Sequence, residues 1–155
     1  MFVDQRGSNE TITRAEVEYA LDWYLKRLLG PWLAARCYVR LIHREFDAKN
    51  DKATAKAYFI NNKDPRRFLI ELSTKLKKAP VLRALAHEAV HVKQFAQGQL
   101  WDAKGSEGLV CWKKRTVREK DYNYRQRPWE KEAYRVERLL YAAYKRHKEK
   151  EKIIF

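Results

Sequence analysis

The chain has 155 residues, 45% of them hydrophobic and 35% charged, enough for one compact domain with a core and too few for two comfortable ones. Lys and Arg number 34 against 20 Asp and Glu, a formal net charge of +14, and such a surplus draws in polyanions, so nucleic acid or a nucleoprotein enters as a candidate partner. The start, MFVDQRGSNETITRAEVEY, lacks the features of a secretion signal, no apolar run approaches a membrane span, and Cys37 and Cys111 show no metal or disulfide spacing. A soluble, cytoplasmic monomer with free thiols is expected, without membrane contact.

The first periodic segment is ITRAEVEYALDWYLKRLLG. Thr13 is placed to cap a helix, Glu16 completes a capping box, and Ile12 and Val17 make a hydrophobic staple. Val17, Ala20, Leu21, Tyr24, Leu25, Leu28 and Leu29 recur at steps of three and four, and Gly30 with Pro31 supplies the stop. The period then changes. ARCYVRLIHREF alternates Cys37, Val39 and Leu41 against Tyr38, Arg40 and Ile42, while TAKAYFIN and RRFLIELST are short and rich in aromatic or β-branched residues. The separators DAKND and NNKDP are short turn clusters, so these three strands are expected to pair as an antiparallel meander.

From Pro80 the helical period returns through Val81, Leu82, Leu85, Ala89, Val92, Phe95 and Ala96, with no glycine before Gly98. After GSEG, LVCWKKRTV reads as a short strand with room for a hairpin partner. A last helix opens near Pro128, carries Trp129, Ala133, Tyr134, Val136, Leu139, Leu140 and Ala143, and ends in the solvated run KRHKEKEK. The expected class is α+β, a single domain over 1–155 with the order helix, meander, helix, β excursion, helix.

The stretch LAHEAVHVKQF holds two of the four histidines. Residues four apart on a helix share a face, so His87 and His91 can converge on one ion at about 2.0–2.1 Å each. Glu88 lies about 100° further round, placed to act on a water in an open coordination position as a general base. A third ligand must come from elsewhere. His43 ends a strand and His147 sits in the charged tail, so both read as solvated or capping side chains. RPWEKEAYRVE offers Glu130, Glu132 and Glu137; Glu130 and Glu132 stand about 200° apart on a helix, so only one of that pair faces the metal.

LAHEAVHVKQF followed by WKKRTVREKDYNYRQRPWEKEAY resembles the small SprT-like zinc metallopeptidases of phages and bacteria. In that family the zinc helix is followed by a Trp-Lys strand, a tyrosine and a Pro-Trp-Glu-x-Glu-Ala helix, a likeness spanning roughly residues 80 to 140. The resemblance implies a zincin-like minimal fold, a cytoplasmic protein (the host cytoplasm if phage-encoded), and Glu132 as third ligand, with Glu130 as the fallback. Spartan-type proteases resemble the first motif but take a third histidine shortly downstream, and Val92 to Leu100 contains none.

The expected function is zinc-dependent hydrolysis of peptide bonds in a protein substrate, with one Zn2+ held by His87, His91 and Glu132. Glu88 would move the proton from water to the leaving amine. Tyr124 is the first candidate donor to the oxyanion and Tyr134 the second. RRFLIELST is the expected edge for an extended substrate to join. Trp101, Trp112 and Trp129 read as core. The basic runs Lys75, Lys77, Lys78 and Lys113, Lys114, Arg115, Arg118, Lys120 keep a second class open: a DNA-binding or anti-repressor module whose zinc is structural or inactive.

Overall fold

The computed structural model describes residues 1–47, 49, 54–59, 64–103 and 107–154. Thr13 caps α1 (Arg14–Leu29): its hydroxyl accepts from the Glu16 amide at 3.1 Å, and the Glu16 carboxylate accepts from the Thr13 amide at 2.9 Å. Two amides that every helix start leaves orphaned are thereby satisfied. Ile12 and Val17 are both buried in the main core. Gly30, at φ 79°, ends α1 in a conformation that costs other residues strain. Pro31 then opens a short helix, α2 (Pro31–Ala35), where the sequence suggested only a stop.

A strand precedes α1. This β1 (Phe2–Arg6) joins β2 (Tyr38–Arg44), β3 (Ala55–Phe59) and β4 (Arg67–Ser73) in one sheet of order β1-β2-β4-β3. β1 and β4 both run parallel to β2, and β3 alone is antiparallel, pairing with β4. The expected three-stranded antiparallel meander is therefore corrected: there is a fourth strand, the central pairings are parallel, and β3 lies outside β4. Burial explains the order. Val39 and Leu41 of β2 and Phe68, Ile70 and Leu72 of β4 are fully buried and take the interior. β3 carries Lys56 and exposed Tyr58, residues suited to an edge. β1 escaped detection because FVDQR has no apolar alternation, and Phe2 is 64% exposed. RRFLIELST, expected as an edge, is the interior strand β4; the edges are β1 and β3. DAKND and NNKDP lie mostly outside the described residues.

α1 and α3 (Lys78–Ala96) cover one face of the sheet, and the core lies between them. Leu21 and Leu25 of α1 and Val81 and Leu85 of α3 are fully buried there, each worth about 1.5–3 kcal/mol of transfer free energy. Tyr24 is buried too and donates its hydroxyl to the Leu82 carbonyl at 3.0 Å, tying α1 to the start of α3. Pro80 sits in the first turn of α3, where its missing N–H costs nothing.

A second sheet follows: β5 (Leu100–Asp102), β6 (Leu109–Trp112) and β7 (Arg115–Arg118), antiparallel in that order. Lys113 and Lys114 turn the β6–β7 hairpin at φ 46° and 70°, the left-handed pair that suits a two-residue hairpin. Half of GSEG, residues 105 and 106, lies outside the described residues. Trp129, at the start of α4 (Pro128–Ile154), packs with Leu100, Val110 and Trp112. Trp112 and Trp129 are thus core as expected, whereas Trp101 is 44% exposed. α4 lies along α3 and reaches α1. Among the described residues no helix is long and apolar enough to cross a membrane.

Candidate metal centre

His87 and His91, one turn apart on α3, point their Nε2 atoms at each other, 3.2 Å apart. Glu130, in the first turn of α4, spans them: Oε2 is 3.0 Å from His87 Nε2 and Oε1 is 3.2 Å from His91 Nε2. All three residues are buried. Donor atoms bound about 2.0–2.1 Å from a tetrahedral ion lie about 3.3 Å from one another, so the spacing is that of a metal site.

The far side of each ring decides what the near side needs. His87 Nδ1 is 2.9 Å from Glu137 Oε2, and a carboxylate accepts, so Nδ1 carries the proton. His91 Nδ1 is 2.8 Å from Gln94 Oε1. Gln94, fully buried, donates its amide to the Trp129 carbonyl at 3.0 Å and to Glu132 Oε1 at 3.3 Å, which turns its oxygen toward His91 and makes that Nδ1 a donor too. Two Nε2 lone pairs and two carboxylate oxygens then converge in a buried space with no donor among them. Only a cation settles that arrangement. Acceptors on the outer nitrogens are also what fix ligating histidines in place.

Without a metal, a proton fills the role. Burial alone would lower the His87 pKa, but its hydrogen bonds to Glu130 and Glu137 outweigh it and raise the value to about 10. His91 is raised as well, burial being outweighed by Glu130 and Glu88. Burial pushes Glu130 up, yet the two histidines hold it at about 2. The same atoms could also hold a divalent ion, to which they offer one full charge and three or more lone pairs.

Comparisons of the chain with protein-family models, with curated proteins and with solved structures found no match. The capacity of the cluster to bind a metal ion rests on its own atoms.

Glu132, the expected third ligand, is not in the cluster. Its carboxylate is taken by Lys93 at 3.2 Å and by Lys113 of the β6–β7 turn at 3.1 Å, besides Gln94. The helix wheel explains the correction. Trp129, Ala133, Leu140 and Tyr144 form the buried stripe of α4. Glu130 and Glu137 flank it on one side, about 20° apart, and Glu132 flanks it on the other. α3 brings His87 and His91 to the Glu130 side. Glu132 instead orients Gln94, and through it His91.

Glu88 lies where expected, one residue past His87, and lines a cleft of about 420 Å3 with His87, Tyr124, Tyr134 and Glu137. It is 5% exposed and forms no hydrogen bond among the described residues. Burial pushes its pKa up, against the pull of His91 and His87. Tyr124 precedes α4 in a 3-10 turn. Its ring is half exposed, but its hydroxyl turns inward: burial and the neighbouring Glu130 and Glu88 carboxylates hold its pKa far above the ordinary tyrosine value. The Tyr134 ring lies 4.6 Å from that of His87.

The other histidines stay out of the site. His43 is buried on β2 and bonds Gln5 Oε1 at 2.9 Å, a correction to the solvated reading. His147, on α4, bonds the Tyr19 hydroxyl at 2.8 Å. The orienting roles of Gln94 and Glu137 were missed from sequence. Both carry a spacing signal: Gln94 follows His91 by three residues, and Glu137 follows Glu130 by seven, two turns along one face.

Proposed function

We propose that the protein is a zinc-dependent metallopeptidase of zincin-like architecture, with His87, His91 and Glu130 holding the metal. One observation carries the reading: a buried cluster in which His87, His91 and Glu130 bring their Nε2 and carboxylate oxygen atoms within 3.0–3.2 Å of one another stands beside a buried, unbonded Glu88 at the wall of an open cleft. The resemblance of LAHEAVHVKQF and RPWEKEAY to SprT-like peptidases, which favoured Glu132 as third ligand, supports the peptidase class. Zinc at the centre would supply a Lewis acid for a peptide carbonyl and would acidify water. Glu88, its basicity raised by burial, takes the proton from the attacking water and returns it to the departing amine. The Tyr124 hydroxyl, kept protonated, donates to the oxyanion as it forms. β3 is the sheet edge beside the cleft, through Ala55, and offers backbone groups to an extended substrate.

The test compares zinc-loaded wild type with Glu88→Gln on internally quenched peptides and denatured casein. Turnover should fall about 10²–10⁴-fold, with zinc content and melting temperature unchanged. Tyr124→Phe should lower kcat by about 10²–10³-fold. Equal turnover by wild type and Glu88→Gln refutes the peptidase reading. The formal charge of +14 supports the other class, a DNA-binding or anti-repressor module with a structural zinc. In that case Glu88→Gln keeps full biological activity, and DNA affinity falls steeply with salt.

A further inference from the structure

Arg83 and Arg125 face the same cleft from different elements. Arg83 lies on α3 one turn before His87 and on the same face, so their Cβ atoms stand roughly 5–6 Å apart. Arg125, in the turn ahead of α4, holds its guanidinium 4.9 Å above the Tyr134 ring, which in turn packs on His87. Both arginines are exposed at the rim, and neither has a carboxylate partner among the described residues. Some other cations of the surface are paired: Lys78 with Glu16, Lys93 and Lys113 with Glu132, Lys148 with Glu151.

The carboxylates of the cleft lie below that rim. Glu130 spans the two histidines, Glu137 bonds His87 Nδ1, and Glu88 is sunk in the wall. A substrate side chain at the mouth therefore meets two unneutralised guanidiniums, in a concave setting that focuses their field. An anionic side chain gains charge-assisted hydrogen bonds there, with planar geometry suited to a carboxylate. A Lys or Arg side chain meets like charge from two walls.

We propose that the site selects peptides with an Asp or Glu side chain beside the scissile bond, held between Arg83 and Arg125. The proposal rests on the peptidase reading and gives it a substrate class. Each rim contact of this kind is worth a factor of about two to five, so the pair should give roughly a tenfold preference.

The probes are two sets of internally quenched peptides in an Ala, Leu, Tyr and Ser background. The sets are identical except that one position, stepped from three residues before the centre to three after it, is Asp in one and Asn in the other. Wild type should cleave the best Asp peptide about tenfold faster, by kcat/KM, than its Asn twin. The ratio should fall to near one in Arg83→Gln/Arg125→Gln, and Arg83→Glu/Arg125→Glu should favour a Lys peptide. Arg146→Gln/Lys150→Gln, which removes as much charge from the end of α4, should keep the tenfold ratio.

Binding of the same peptides to zinc-loaded Glu88→Gln, read by fluorescence anisotropy, gives the preference without turnover. Preference in binding with no cleavage by wild type sinks the peptidase reading and leaves the selectivity standing. Cleavage without an Asp preference, or a preference that survives in Arg83→Gln/Arg125→Gln, overturns the proposal, as does the absence of any peptide binding. Should a single-stranded DNA oligonucleotide bind through the two arginines while Asp and Asn peptides bind alike, the pair serves nucleic acid and the proposal fails.

Discussion

Exchanging a carboxylate for its amide at Glu130 and at Glu132 separates the two candidate third ligands. Glu130 is 4% exposed and faces both Nε2 atoms. A zinc site in a small protein is worth about 10–16 kcal/mol, or roughly 2.5–4 kcal/mol for each of four donors. At about 1.4 kcal/mol per tenfold, Glu130→Gln should weaken zinc binding by about 10²–10³-fold. Glu132 touches the metal ligands only through Gln94, at 3.3 Å, and a glutamine there keeps an acceptor oxygen. Partners that bond a ligand directly are worth about 10–100-fold, so Glu132→Gln, one step further out, should cost less than about tenfold. Competition against a chromophoric chelator measures both, with circular dichroism establishing that each variant is folded. A hundredfold loss in Glu132→Gln alongside an unaffected Glu130→Gln would refute the arrangement.

Two further outcomes follow from the orienting groups and the protons. Gln94→Leu removes the acceptor from His91 Nδ1 and should weaken zinc binding about 10–100-fold, whereas Gln94→Glu, which still accepts there, should restore most of it; equal losses in both would remove the orienting role. His87 has its pKa raised to about 10 in the metal-free protein, so zinc must displace a proton. Affinity should climb about tenfold per pH unit between pH 6 and 8, with proton release detectable by calorimetry in buffers of different ionisation enthalpy. The sign for stability is opposite. A raised histidine pKa stabilises the metal-free fold fully below about 6.5 and loses that contribution as pH rises toward 10. The gap in melting temperature between zinc-bound and metal-free protein should therefore widen with pH, and a constant gap would contradict the protonated state.

Helices were legible because their signals are local. The Thr13 cap, the Ile12–Val17 staple and most of the apolar stripes of α1, α3 and α4 appear where their spacing puts them; Leu139, expected in the α4 stripe, is 64% exposed. Pairing of strands was not legible in the same way, because turn clusters of similar length serve a meander or a crossover past β4. Relative burial chose between them: FLIEL is the more apolar strand and AKAYF the one that tolerates an edge. β1 had no sequence signal of its own, since its partner β2 supplies the hydrogen bonds and its side chains are only half covered.

The candidate metal site was legible to the level of its two histidines. HExxH fixes His87 and His91 on one face by helix geometry alone. On α4 the stripe from Trp129 to Tyr144 has a carboxylate on each flank, and nothing within the helix says which flank meets α3. Glu130 and Glu132 therefore stayed open on spacing, and the resemblance favoured the one that the fold turns toward Lys93 and Lys113. The pairing of Glu130 with Glu137 was the available signal, since a ligand and an orienting carboxylate must share a face to serve the same histidine.

Elemental analysis of the purified protein, with His91→Ala beside it, reads the occupancy of the His87, His91 and Glu130 cluster without any assay of activity. Wild type should carry zinc near one per chain, and the variant should lose it. Protein that binds no zinc even after loading, or a variant that retains it in full, would contradict the assignment of His87, His91 and Glu130 as the metal centre.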